Sequence, residues 1–441
     1  MNEPRREGGP LRELLADSIR PNHLPDVAWL QEYLAGGAPA GEPMMLSLGE
    51  TWDHTPAALL QALREVPSTS HGYQISMYGL PLLRNVLKEY VADTQRLPRT
   101  AEWEVAVGWT GTRSAMRDFA VLVARERAAQ GLGPGTVLAV APAWDYAGFA
   151  EPLGFTTAYV PFDPAAADGP SPADVRTAVA GLPAGELSVV VVNAQHNPTG
   201  ANWSPQQVEA LLDAAAEHGA AVLVDDAYYG VCPPGETVTS ALEILLSRPH
   251  DSRGGRWLGV RSLGKQFHCN GWALGALIAA PDTLDTLVND LRPQHTFNYA
   301  IHLQWAMAQW LADRPAVEEY LRGEQAATAE KRAAVLARLA PDSARRAIAG
   351  PAAPYVLFPV PDGMELGDHL RRCVLECGVL LSDAWPLART GSTERTGYAR
   401  MYLGPDLDVL MAAVDRLEAA KLWPGPADTA GRAPEREPTA P

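Results

Sequence analysis

From about residue 100 to about residue 280, short apolar runs alternate with longer segments rich in Ala, Leu and Glu. "EVAVGW", "TVLAVAP", "LSVVVVN" and "AAVLVDDA" are continuous and of strand length, whereas "SAMRDFAVLVARERAAQ" is helical in period. Between the last two strands lies "SPQQVEALLDAAAEHG". There Ser204 suits an N-cap, Pro205 the first helical position, Gln207 completes a capping box and Gly219 marks the stop. Strands apolar on both faces and separated by helices predict a mostly parallel sheet covered on both sides, an α/β architecture. After a long helical stretch the pattern changes, and "APYVLFPVP", "GVLLSDA" and "YARMYLG" predict strands of a smaller α+β unit. The expected organisation is an N-terminal arm (1–45) packing on the small domain, a large α/β domain (46–310) and a small α+β domain (311–423). A disordered tail (424–441), too poor in apolar residues to fold, closes the chain.

Bulk composition narrows the function. The 441 residues are 47% apolar and 20% charged, which is globular composition. A formal net charge of −16 with no basic run argues against nucleic-acid binding. No segment reaches the roughly 20 apolar residues that a membrane span needs, and the N-terminus lacks a signal-peptide core. Cys232, Cys269, Cys373 and Cys377 have no metal-ligand spacing, so no metal site is expected. A reduced, cytoplasmic enzyme is the expectation.

In a parallel α/β sheet, ligands sit beyond the C-terminal strand ends. "VAVGWTGTRSAM" leaves a strand through Gly108, Gly111 and Thr112, a turn that is either an ordinary βα connection or a phosphate cup. "VAPAWDYAGF" presents Trp144 and Tyr146, suited to rim packing or to stacking on a flat ligand. "VVVVNAQHNPTGANWS" fixes Asn197 in a Pro/Gly loop at the sheet edge. "VLVDDAYYG" offers Asp225, Asp226 and Tyr228, and adjacent strand residues point to opposite faces, so one acid faces the ligand crevice. A carboxylate there is costly unless it meets a cation. Further on, Lys265 is the sole formal charge in "SLGKQFHCNGWALG".

The ordered set "HNPTG", "DDAY" and "SLGK" resembles the fold-type I pyridoxal 5'-phosphate (PLP) enzymes of the class I/II aminotransferase family, over about residues 46–410. The resemblance implies a large domain with a mostly parallel seven-stranded sheet, a smaller α+β C-terminal domain, PLP as cofactor and a homodimer with shared active sites. It makes Lys265 the Schiff-base lysine and general base, and sets Asp225 against the pyridine nitrogen. By the same resemblance, Tyr228 and Asn197 would meet the ring's 3′-oxygen and Trp144 would stack on the ring, while Gly111, Thr112 and Ser262 would form the phosphate cup. Arg400, in "TGYARMYLG", would grip the substrate α-carboxylate, and Gly49, in "LSLGE", would approach the substrate beside Asn197. The segment "QHTFNYA" (Gln294–Ala300) resembles the one that reaches the neighbouring subunit.

Three departures qualify the match. Most of the family carries an arginine eight residues after the lysine, where this chain has Ala273, so Arg113 or Arg261 is expected to substitute at the phosphate. Tyr73, assigned to the partner's phosphate, precedes Gly79 by one residue too many. Aromatic residues and histidines crowd the expected mouth (Trp52, His54, Trp109, Tyr146, His268), suiting a flat or bulky substrate. The expected function is a PLP-dependent aminotransferase acting on an amino acid, in specialised biosynthesis. The alternative is a non-transaminase PLP enzyme: elimination or replacement, cyclisation or annulation with S-adenosylmethionine and a partner such as NAD, or oxidation. A PLP-sensing transcription regulator would need a DNA-binding domain that the first 45 residues cannot supply.

Overall fold

The computed structural model describes residues 25–49, 54–100, 102–161, 168–233, 235–385 and 397–425. Trp52, most of the expected tail and the first part of the expected arm lie outside these residues.

Seven strands form the main sheet: β2 (Glu104–Gly108), β3 (Thr136–Val140), β4 (Thr156–Val160), β5 (Leu187–Val192), β6 (Ala221–Asp225), β7 (Trp257–Ser262) and β8 (Gly275–Ala279). Their order is β2-β8-β7-β6-β5-β3-β4; all neighbours are parallel except β8, antiparallel to β2 and β7. The chain moves outward from β3 to β4 and returns to lay β5 on the other side of β3. That switch opens a crevice at the strand ends.

Both faces are covered, and residue parity shows how. Val190, Val192, Val222 and Val224 pack on one side with Leu87, Leu211 and Trp310. Val189, Val191, Ala221 and Leu223 pack on the other with Met116, Phe119 and Phe149. Continuous apolar strands follow from this double burial. The helix Pro205–His218 starts as its sequence predicts, with Ser204 and Gln207 exchanging both bonds of a capping box and Gly219 in the left-handed region (φ 61°).

A second sheet has the order β11-β12-β9, all antiparallel, from β9 (Tyr355–Pro359), β11 (Ser382–Asp383) and β12 (Tyr398–Tyr402). Phe358, Met401, Cys373 and Leu410 share its core. The four cysteines are free and buried, which puts Cys373 and Cys377 on an apolar helix face. β1 (Met44–Met45) pairs in parallel with β10 (Val379–Leu380), and the helix Pro25–Ala35 packs on the helix Leu366–Cys377. The helix Arg314–Ala337 joins both bodies: Val317 sits in the first core and Val335 in the second. Among the described residues no helix is long and apolar enough to cross a membrane.

Candidate active site

Lys265 follows β7 on the short helix Leu263–Gln266, whose N-cap Ser262 accepts the Lys265 amide N–H (3.3 Å). The ammonium lies 5.3 Å from the centroid of the Tyr228 ring. A Cβ built on Gly49 would stand 2.9 Å from the Tyr355 hydroxyl, 3.1 Å from that of Tyr228 and 3.4 Å from Lys265 Nζ. Gly49 therefore keeps open the space beside the amine, and any side chain would fill it. Asn270 donates to the Gly49 carbonyl (2.7 Å) and fixes that segment.

Asp225, the last residue of β6, and Asp226 just beyond it point to opposite faces, as alternation requires. Asp225 accepts from the Tyr146 hydroxyl (2.9 Å) and the Ala227 amide (3.2 Å). Burial raises its pKa, against the pull of Tyr146, Ala227 and Lys265. Asp226 turns the other way, towards Gln95, and burial pushes its pKa up to about 7. Tyr146, expected among the mouth aromatics, is instead buried and holds Asp225.

After β5, Asn193 donates to the Asp225 carbonyl (2.6 Å) and accepts the Asn197 amide N–H (2.9 Å), tying the Asn197 loop to β6. The Asn197 side chain accepts from Arg400 Nη1 (3.0 Å). Arg400 also donates through Nε to Ser382 (2.9 Å) and through Nη2 to the Ser47 carbonyl (2.8 Å), and it stacks on Tyr355 (4.3 Å). A guanidinium has five N–H donors. Those three bonds leave one N–H on each terminal nitrogen, the pair that a carboxylate engages in bidentate fashion.

At the β2 exit, Gly111 caps the helix Thr112–Ala129, but its amide donates to the Ala273 carbonyl (2.9 Å). Gly111 thus shapes the cup with a positive φ (79°) while its own N–H is spent. The next amides of the helix start and the Thr112 hydroxyl are donors that this turn could offer to an anion. Ala273 itself sits in the left-handed region (φ 53°), strained for a residue with a Cβ.

The two arginines expected to substitute for the missing one separate cleanly. Arg113 stacks over Trp144 (4.4 Å) and pairs with Asp145 (2.8 Å), at the cup and half-exposed. Arg261 has the parity of Trp257 rather than of Val260 and faces away from Asp225. It is buried on Tyr90 and Tyr229 and bonded to Thr94, Tyr90 and Gln266. Tyr73 also lies outside the constellation within one chain: it is 79% exposed and contacts Phe297 and Tyr299. Tyr355, which no sequence motif marked, shares a hydrogen bond with the Tyr228 hydroxyl and so joins the group.

The profile of the family "Aminotransferase class I and II" matches residues 42–391. An aspartate/prephenate aminotransferase of Thermus thermophilus is 25% identical over 360 residues, 80% of this chain and 86% of that protein. A methionine aminotransferase of Escherichia coli is 29% identical over 133 residues, 30% of this chain and 32% of that one. Among solved structures, a double mutant of Thermus thermophilus aspartate aminotransferase superposes with a TM-score of 0.74 at 23% identity, covering 91% of this chain and 97% of that one. With the match running from β1 through the small sheet's β11, this chain belongs to the class I and II aminotransferase family and has its fold-type I architecture.

Proposed function

We propose that the protein is a PLP-dependent aminotransferase acting on an α-amino acid. One observation carries the reading: a lysine amine, a buried carboxylate and a buried arginine with two free N–H groups converge on the crevice that Gly49 keeps open. The residues fit PLP. Asp225, whose pKa burial raises despite Tyr146, Ala227 and Lys265, matches a protonated pyridine nitrogen, a cation that would favour its ionised form. The Trp144 ring offers a stacking face, and the cup of Thr112, Ser262 and Arg113 matches a phosphate. When bound, PLP supplies an electron sink conjugated to the substrate's α-carbon. Lys265 would hold PLP through its side-chain amine and, as a free amine, would take and return the substrate's α-proton at Nζ. Tyr228 and Asn197 would hydrogen-bond the cofactor's ring oxygen, and Arg400 would hold the α-carboxylate so that the chosen α-bond faces the amine.

The exposed apolar group of Tyr73, Ile75, Phe297 and Tyr299 supports a homodimer, and a one-chain mass in sedimentation would sink that part. For the reaction, the loaded enzyme mixed with an amino acid and no acceptor should release one equivalent of keto acid per site and no ammonium. A keto-acid acceptor should then sustain turnover. Ammonium release in step with product would favour elimination instead.

Three substitutions probe the anion sites. Arg113→Ala should weaken PLP retention by about 10- to 150-fold, the worth of one hydrogen bond between charged groups. Arg261→Ala should lower the unfolding temperature and leave retention unchanged; equilibrium dialysis and a thermal melt of both variants decide. Arg400→Ala should cost roughly 10²–10⁴ in kcat/KM for an amino acid. It should cost far less for the matching amine without a carboxylate, and equal losses on both would refute carboxylate binding.

A further inference from the structure

We propose that His54, His268 and Glu324 form a divalent-metal site of the zinc class, at the seam between the two bodies and beside the Lys265 chamber. The inference is independent of the transamination reading. One donor atom from each of the three residues lies within 4.8 Å of the other two. His268 Nε2 stands 3.2 Å from Glu324 Oε2. In a tetrahedral site with bonds of about 2.0–2.2 Å, neighbouring ligand atoms stand roughly 3.4 Å apart. The His268–Glu324 edge already has that length, and shifts of about 1 Å would bring His54 to it.

The surroundings hold these rings in place. Asp406 lies 3.2 Å from His54 Nε2, the carboxylate-on-imidazole arrangement that orients metal-binding histidines. Tyr320 donates to the His54 carbonyl (3.0 Å), and Thr55 donates to that of His268 (2.5 Å). His268 adopts φ 48°, a left-handed conformation that residues with a Cβ enter at a cost. The two rings meet edge to face at 5.5 Å, and the side chains of His54 and His268 are 16% and 12% exposed. Lys331, on the same helix as Glu324, spends its ammonium on the Gly404 carbonyl (2.8 Å). Two imidazoles and one carboxylate are a donor set suited to zinc and its first-row neighbours.

Coordination would remain open on one side. His268 and Glu324 line the chamber that also holds Lys265, Gln325, Thr328 and Tyr402, so a fourth, water-held position faces it. The sequence expectation of no metal site rested on cysteine spacing. These ligands come instead from three distant segments, the loop before the helix Ala57–Arg64, the turn after Lys265 and the helix Arg314–Ala337, which only the fold brings together.

The test uses the PLP-loaded enzyme, stripped of metal with a chelator and titrated with Co²⁺. The expected result is d–d absorbance, at wavelengths beyond the cofactor's, that saturates at one equivalent per chain and is displaced by Zn²⁺. His268→Ala and Glu324→Gln should each weaken binding by at least about tenfold, with far-UV circular dichroism confirming the fold. If either variant fails to fold, His54→Gln takes its place. Zn²⁺ should also raise the unfolding temperature of the unsubstituted enzyme, because binding to the folded state alone stabilises it. Absence of the cobalt absorbance would leave these residues as ion pairs across the seam and overturn the proposal. Equal binding by every variant would do the same, by placing the metal on other side chains.

Discussion

Replacing Lys265 by alanine is expected to abolish borohydride-stable attachment of PLP and to lower kcat by at least about 10²–10⁴. The proposed function places two roles on one atom. Nζ sits at the face of Tyr228 and beside the hollow that Gly49 leaves, where it can hold the cofactor covalently and later reach an α-proton. The substitution removes the nucleophile and the base but no part of the anion sites, so the variant should still bind amino acid through Arg400. Added methylamine should restore part of the rate, because the small amine can enter the vacated space and supply the missing base. A merely structural lysine would show no such rescue. Attachment and turnover surviving in Lys265→Ala would remove the assignment altogether.

Much of this site was legible because a parallel α/β fold gathers function at strand exits. Asp225 ends an apolar strand, and Asn197 and Lys265 closely follow one, so locating the strands located the residues. Parity along β7 was equally available: Arg261 alternates with Val260, and reading that alternation would have sent it to the opposite face from Asp225. Tyr355 was harder. It opens a strand of the small sheet, and nothing in "APYVLFPVP" announces that the strand lies against Tyr228. Tyr146 was visible as an aromatic at a strand exit, but its hydroxyl contact with Asp225 depends on how the helix Ala147–Ala150 turns. The closure of Gly111 onto Ala273 was beyond reach, since it depends on a left-handed residue that the sequence, with alanine there, argues against.

Asp225→Asn should move activity and stability in opposite directions. Its Oδ1 can still accept the Ala227 amide, and its NH₂ can donate to the Tyr146 oxygen, so shape is kept and charge is lost. In the loaded enzyme the carboxylate is the partner proposed for the pyridine nitrogen. Breaking a buried charge pair costs about 3–5 kcal/mol, or roughly 150- to 5,000-fold. A fall in kcat/KM of that size is expected, with weaker PLP retention. Without cofactor the sign reverses. Burial raises the Asp225 pKa in the folded chain, so the folded state holds this proton more tightly than the unfolded one. Stability from this group is therefore present below the ordinary value of 3.8 and lost as pH rises through the raised one. At neutral pH burial of this carboxyl group costs the cofactor-free protein stability, which asparagine spares. Thermal melts at neutral pH should show cofactor-free Asp225→Asn unfolding above the unsubstituted chain, with the gap closing as pH falls towards the unfolded value. A cofactor-free variant less stable than the parent would mean that Lys265 already compensates the carboxylate, leaving the crevice with no charge waiting for a cationic ring.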